Sequence, residues 1–131
     1  MERYETWINR AKSSFEIART KNSNLVYYED LCYQAQQAAE KALKGLLIYY
    51  NAEPKFTHNI GILLDDLETY VKITDEIKET IKLTKYAIQT RYPGEYDDLT
   101  EKDYDESIII AKKCLEWVES IISSPRVKNR P

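Results

Sequence analysis

One turn in the sequence has residue types that suit the binding of a phosphate ester. Arg91 stands at the C-terminal end of a predicted helix, and Tyr92 and Tyr96 follow it in an acidic turn. An arginine at the edge of a cleft binds phosphate oxygens, and tyrosine rings stack on nucleobases. A cation also suits the negative end of a helix dipole, so a helix-end role for Arg91 is an equal alternative.

A polar strip on the second predicted helix offers further groups for anion binding. Four polar residues recur at steps of three, four and three, which places them on one helix face. They are Gln34, Gln37, Lys41 and Lys44. Glu40 is placed to pair with Lys44. The spacing by itself favours a solvated face with such pairs, and the alternative is a recognition strip for phosphate or a base.

The only histidine, His58, stands at the start of the third predicted helix. A helix N-terminus disfavours an added positive charge, which favours a neutral imidazole there. A structural role is the simpler interpretation, and a catalytic role is the alternative. Cys32 and Cys114 lie far apart inside apolar patterns, and we interpret them as buried thiols. No zinc-ligand spacing occurs, and we predict neither a metal site nor a cofactor.

The composition favours helices and limits the kinds of partner. The chain has 131 residues with only 3 glycines and 4 prolines, and its net charge is −3. A nucleotide or RNA site would therefore be a local cationic patch. Glycine-rich nucleotide motifs, the GxSxG nucleophile motif and DNA-reading motifs do not occur. No apolar run approaches membrane length, and the N-terminus is acidic, so we expect a cytoplasmic protein without membrane contact.

Five segments with helical periodicity position these residues. They run from about Arg3 to Lys21, Tyr28 to Asn51, Thr57 to Tyr70, Asp75 to Pro93, and Thr100 to Pro125. We predict an all-α bundle of four long helices and one shorter helix. The bundle domain spans residues 1–124, and residues 125–131 form a flexible basic tail.

Two local predictions concern the later helices. The fourth segment has an α-helical stripe that we expect to be buried, formed by Ile77, Ile81, Thr84 and Ile88. The fifth begins with a capping-box pattern in which Asp103 replaces the usual Glu or Gln.

Three stretches together resemble the HEPN family of small helical domains. They are YQAQQAAEKALKGLL (33–47), FTHNIGILLDDL (56–67) and TRYP (90–93). Their order and spacing agree with the family from Tyr4 to about Ile122. The resemblance implies an up-and-down bundle, usually a homodimer with a cleft between subunits. It also implies a prokaryotic context in which many members are RNases of toxin–antitoxin pairs, some beside a small nucleotidyltransferase.

The ribonuclease motif of such proteins is an arginine followed, after four to six residues, by a histidine. Arg91 matches the arginine, but Tyr96, Asp97 and Asp98 occupy the three places open to the histidine. A tyrosine, with a pKa near 10 in free solution, is a poor general base at neutral pH. The RYP turn is more similar to members that bind nucleotides or accompany a nucleotidyltransferase.

The leading hypothesis is therefore a non-catalytic HEPN domain that forms a homodimer and binds a nucleotide or RNA phosphate. Its predicted ligand-binding residues are Arg91, Tyr92, Tyr96, Gln37, Lys41 and Lys44. Its expected partner is a separately encoded small nucleotidyltransferase.

Two alternatives remain. One is a divergent, metal-independent endoribonuclease that uses Arg91 with Tyr96 or His58. The other is a plain interaction module with exposed aromatic residues, for which Trp7, Tyr28 and Tyr104 are candidates.

Overall fold

The chain folds as an up-and-down arrangement of helices. A computed structural model describes residues 3–21 and 24–124, with Arg91 described by its backbone alone, and these ranges contain no strand. The elements in chain order are α1 (Tyr4–Ala18), α2 (Tyr28–Tyr49), α3 (Ile60–Leu67), α4 (Asp75–Lys78), two 3₁₀ segments (Glu79–Ala87 and Gln89–Arg91) and α5 (Glu101–Ile122). The all-α prediction is confirmed. The predicted tail, 125–131, lies outside the described residues.

The second helix, α2, forms the centre of the bundle. It packs against α1, α3, α5 and both 3₁₀ segments. Its alanines at positions 35, 38, 39 and 42 have no exposed surface. At Gly45, a Cβ atom would lie 2.8 Å from Ile8 Cδ1 and 3.1 Å from Trp7 Cβ, so α1 approaches α2 closely there. Small residues allow this approach because they leave room for the neighbouring helix.

The fourth predicted segment is helical, but most of it is not an α-helix. One turn of α4 continues directly into the 3₁₀ segment Glu79–Ala87. A 3₁₀-helix has three residues per turn, so positions three apart share a face. The buried residues follow that period, at Ile77, Thr80, Leu83 and Tyr86.

The predicted stripe of this segment is therefore partly wrong. Ile81 is 46% exposed and Ile88 is 55% exposed, whereas both were expected to be buried. The sequence carries two apolar faces, one with the α-helical period and one with a period of three. Packing of the bulky Leu83 and Tyr86 side chains into the core selects the second face.

Side-chain caps fix where α3 and α5 begin. Asn59 Oδ1 accepts a hydrogen bond from the Ile62 N–H at 3.3 Å, and Thr57 Oγ1 accepts one from the Asn59 N–H at 3.0 Å. In α5 the predicted capping box is present, with reciprocal hydrogen bonds between Thr100 and Asp103. Such caps satisfy N–H groups that have no partner within the helix.

Both cysteines are buried free thiols, as predicted. Burial raises the pKa of Cys32 to about 11 and that of Cys114 to about 12. A thiol with a raised pKa is a poor nucleophile near neutral pH. Among the described residues, none of the helices is long and apolar enough to cross a membrane.

The period-three face gives a direct test of the fourth segment. Leu83 is 1% exposed, so Leu83→Ala should cost about 2–5 kcal/mol of unfolding free energy. Ile81→Ala is the matched control and should cost less than about 1 kcal/mol. Urea unfolding followed by circular dichroism measures both. A larger loss for Ile81→Ala would indicate that the segment is an α-helix with the opposite face buried.

Candidate functional site

Directly after Arg91 the chain makes a hydrogen-bonded β-turn of residues 92–95, which we call the Arg91 turn. The Glu95 N–H donates to the Tyr92 carbonyl oxygen at 3.0 Å. Pro93 supplies the fixed φ of the first central position, and Gly94 has φ +84° at the second. Proline followed by a glycine with positive φ is typical of a type II turn. The turn brings the chain from the second 3₁₀ segment back towards α2.

A hydrogen bond from the backbone of Leu99 ties the returning chain to the N-terminal end of α2. Glu29 Oε2 accepts a hydrogen bond from the Leu99 N–H at 2.9 Å. Before the turn, Thr90 Oγ1 donates a hydrogen bond to the Tyr86 carbonyl oxygen at 2.6 Å. These bonds hold the two ends of the turn to the half-buried Glu29 and to the buried Tyr86.

The space between the turn and α2 is a pocket of about 190 Å³, which we call the tyrosine pocket. Its lining residues come from the start of α2, the second 3₁₀ segment and the turn. They are Tyr27, Glu29, Asp30, Gln89, Thr90, Tyr92, Pro93, Gly94, Tyr96, Asp97, Asp98 and Leu99. The side chain of Arg91 lies outside the described residues, so its orientation toward the pocket stays a prediction.

A second polar cluster lies in the middle of α2, around the buried carboxylate of Glu40. Glu40 is 4% exposed. Its Oε1 accepts from Gln36 Nε2 at 2.9 Å and contacts His58 Nδ1 at 2.9 Å, while its Oε2 accepts from Lys44 Nζ at 2.9 Å. Gln37 Nε2 lies 3.5 Å from Oε1. The carboxylate thus joins α2 to the connection that precedes α3.

The hydrogen bonds determine the charge of Glu40. Burial by itself raises its pKa, but the bonds from Gln36, His58 and Lys44 outweigh burial, and its pKa is lowered from the ordinary value. An ionised carboxylate only accepts hydrogen bonds, so His58 Nδ1 is the donor. The Nε2 atom of a neutral His58 is then an acceptor on a side chain that is 55% exposed.

The two lysines of the polar strip are engaged inside the chain. Lys44 is 8% exposed, pairs with Glu40, and lies 5.8 Å above the Trp7 ring. Lys41 donates from Nζ to Ser14 Oγ of α1 at 2.9 Å. Burial, together with the positive charge of Arg10, lowers the pKa of Lys41. The strip therefore forms helix–helix contacts, and a ligand role for Lys41 or Lys44 stays a prediction.

The structure separates the predicted site residues into two groups. Tyr92 and Tyr96 line the tyrosine pocket, which includes Asp30 at the start of α2. Lys41 and Lys44 are eleven and fourteen residues further along α2, about 16 and 21 Å of helix rise. Gln37 and His58 belong to the Glu40 cluster. The lining of the tyrosine pocket includes none of Gln37, Lys41, Lys44 and His58.

Sequence reasoning missed several members of both groups. Tyr27 directly precedes α2 and Asp30 lies in its first turn. Only the tertiary fold brings these two residues to the turn. Gln36 is completely buried and hydrogen-bonded to Glu40, which its spacing four residues before Glu40 allows. In the described ranges, no group of three or more metal-ligating side chains is close enough to hold an ion.

Comparisons with known proteins agree with this architecture. The family model of the HEPN domain matches residues 4–121. The chain belongs to the HEPN family. The crystal structure of ST0689, an archaeal HEPN homologue, is 35% identical with a TM-score of 0.74, and the match covers 94% of this chain and 100% of that one. The TT1696 structure from Thermus thermophilus is 32% identical with a TM-score of 0.79, covering 92% of this chain and 98% of that one.

One curated protein is also similar to this chain. The protein named "Putative toxin MJ1304" from Methanocaldococcus jannaschii is 26% identical to this HEPN chain. The match covers 88% of this chain and 86% of the relative. The predicted family and bundle are thereby confirmed, while the roles of the individual site residues stay predictions.

Removal of the Glu40 charge should destabilise this HEPN domain. Glu40→Gln leaves the Lys44 ammonium buried without a counter-charge, which should cost about 3 kcal/mol at neutral pH. Lys44→Met in the same chain should restore much of that loss, since the two effects are coupled. Urea unfolding of both single variants and the double variant measures the coupling. Glu68→Gln, an exposed change, is the control.

The difference in stability between the wild type and Glu40→Gln should depend on pH. The pKa of Glu40 is lowered on folding, so its ionisation stabilises the protein at pH values above its ordinary pKa of 4.5. As the pH falls through the folded-state pKa, that stabilisation is lost. The stability advantage of the wild type over Glu40→Gln should therefore shrink on acidification below about pH 4.5. An advantage that grows on acidification would contradict the lowered pKa.

Proposed function

We propose that this HEPN protein is a binding module for a nucleotide or an RNA phosphate. The observation that carries the proposal is the tyrosine pocket beside the Arg91 turn. Its tyrosines are 68%, 53% and 48% exposed at positions 27, 92 and 96, which leaves ring surface available for a base. Base–aromatic stacking contributes about 1–3 kcal/mol per base.

Arg91 is the proposed phosphate contact. It directly precedes Tyr92 in the chain, and the described lining of the pocket contains no lysine or arginine. A guanidinium binds phosphate oxygens in a bidentate manner. Gln37, Lys41 and Lys44 are left out of this proposal because they belong to the middle of α2 rather than to the pocket.

We propose binding rather than hydrolysis because positions 96 to 98 hold no histidine. The pocket offers tyrosines and carboxylates but no imidazole among its described lining residues. We further propose that the protein is a homodimer and accompanies a separately encoded small nucleotidyltransferase. Light scattering of the purified protein, and co-purification with a nucleotidyltransferase encoded beside it, test these two points.

Titration calorimetry with mononucleotides and a short RNA tests the binding proposal. Arg91→Ala should weaken binding at least about tenfold, because a charged hydrogen bond contributes about 1.5–3 kcal/mol. Arg10→Ala is the matched control, since Arg10 is an exposed arginine on α1. Equal affinities for wild type and Arg91→Ala would remove Arg91 from the role, and no binding by the wild type would refute the function.

The second candidate function is a toxin-type endoribonuclease that uses His58. The favouring observation is the contact of 2.9 Å between His58 Nδ1 and the ionised Glu40, which in the neutral form of His58 leaves Nε2 as an acceptor on an exposed ring. A histidine oriented by a carboxylate is a frequent general base. The similarity to a protein named as a toxin is compatible with this candidate.

Incubation with labelled RNA separates the two functions. Under this candidate the wild type should cleave RNA, and both His58→Ala and Arg91→Ala should lose about a hundredfold or more of the rate. Growth arrest on expression should disappear in the same variants. Tyr96→Phe tests whether the tyrosine hydroxyl takes part. Absence of cleavage by the wild type would leave the binding proposal alone. Equal cleavage by the wild type and His58→Ala would remove His58 from the catalytic role.

A further inference from the structure

The tyrosine pocket contains more hydrogen-bond acceptors than a phosphate site would. Four of its lining residues are carboxylates, at positions 29, 30, 97 and 98. Glu29 is engaged by the Leu99 N–H, whereas no described residue hydrogen-bonds or pairs with the side chains of Asp97 and Asp98. The carboxylates that face this aromatic cavity thus have capacity for donors from a ligand.

The size and charge of the pocket determine which part of a nucleotide fits inside. Its volume of about 190 Å³ is below the roughly 300–1,000 Å³ of pockets that hold drug-sized ligands. A phosphate inside would face four carboxylates and be repelled by them. The pocket interior therefore suits a flat base, with the phosphate outside on the side of Arg91.

Carboxylate oxygens only accept hydrogen bonds, so they select bases by the donors on their Watson–Crick edges. Guanine presents N1–H and the N2 amino group side by side, which match the two oxygens of one carboxylate. Adenine and cytosine place a bare ring nitrogen next to their amino group. Uracil has its N3–H between two carbonyl oxygens, and a carboxylate repels these oxygens.

We propose that the tyrosine pocket is a nucleobase site that selects guanine. The inference rests on the proposed nucleotide-binding function and specifies the ligand of the same site. The base stacks on Tyr92 or Tyr96, and the carboxylate of Asp97 or Asp98 accepts from N1–H and the N2 amino group. Sites that hydrogen-bond a ligand group discriminate strongly against analogues that lack it.

Nucleosides test the base preference without any contribution from a phosphate. Guanosine should bind the wild type at least about tenfold more tightly than uridine, with adenosine and cytidine between them. The double variant Asp97→Asn/Asp98→Asn should lose this preference. The variant Asp65→Asn/Glu68→Gln is the control, because it removes two exposed carboxylates outside the pocket. Circular dichroism confirms that each variant is folded.

The outcomes separate the selection of guanine from the proposed function. Equal binding of the four nucleosides, or a guanosine preference that survives Asp97→Asn/Asp98→Asn, overturns the selection and leaves nucleotide binding intact. Binding of GMP and UMP without binding of any nucleoside overturns the base site and leaves a phosphate site. No binding of nucleoside or nucleotide refutes both.

Discussion

The burial of α2 on nearly all sides is the constraint on which the rest of the structure depends. A helix surrounded by α1, α3, α5 and the 3₁₀ segments has little surface in water. Its apolar residues form the core, and its polar side chains must find partners inside the protein. The alanines and Gly45 allow the neighbouring helices to approach, and the polar residues connect to them.

The Glu40 carboxylate is the clearest consequence of that burial. A buried charge is costly unless hydrogen bonds and an opposite charge compensate it. Gln36 and Lys44 supply these from α2, and His58 supplies a further bond from the connection before α3. The cluster thereby fixes both the charge of the carboxylate and the position of the only histidine. Its role in stability and its proposed role in chemistry use the same contacts.

The length of α2 separates this cluster from the tyrosine pocket. Glu40 lies ten residues beyond Asp30, about 15 Å of helix rise. One chain therefore offers an aromatic, acidic pocket at the start of α2 and a histidine–carboxylate pair in its middle. The proposed binding function uses the pocket, and the candidate hydrolytic function uses the pair together with Arg91. The His58 variants therefore address a part of the molecule that the nucleoside experiments do not.

The sequence by itself determined the helical class, the family and the start of α5. These depend on local periodicity and on capping residues, which act over a few positions. The fourth segment differs, since its sequence has two apolar faces and only the packing of Leu83 and Tyr86 chooses between them. Likewise, the spacing of Lys41 and Lys44 indicated one polar face, but only the packing of the neighbouring helices decided that Lys44 is buried and Lys41 half-buried. The tyrosine pocket joins residues about seventy positions apart through the bond from Leu99 to Glu29, and such distant contacts follow from tertiary packing rather than from local pattern.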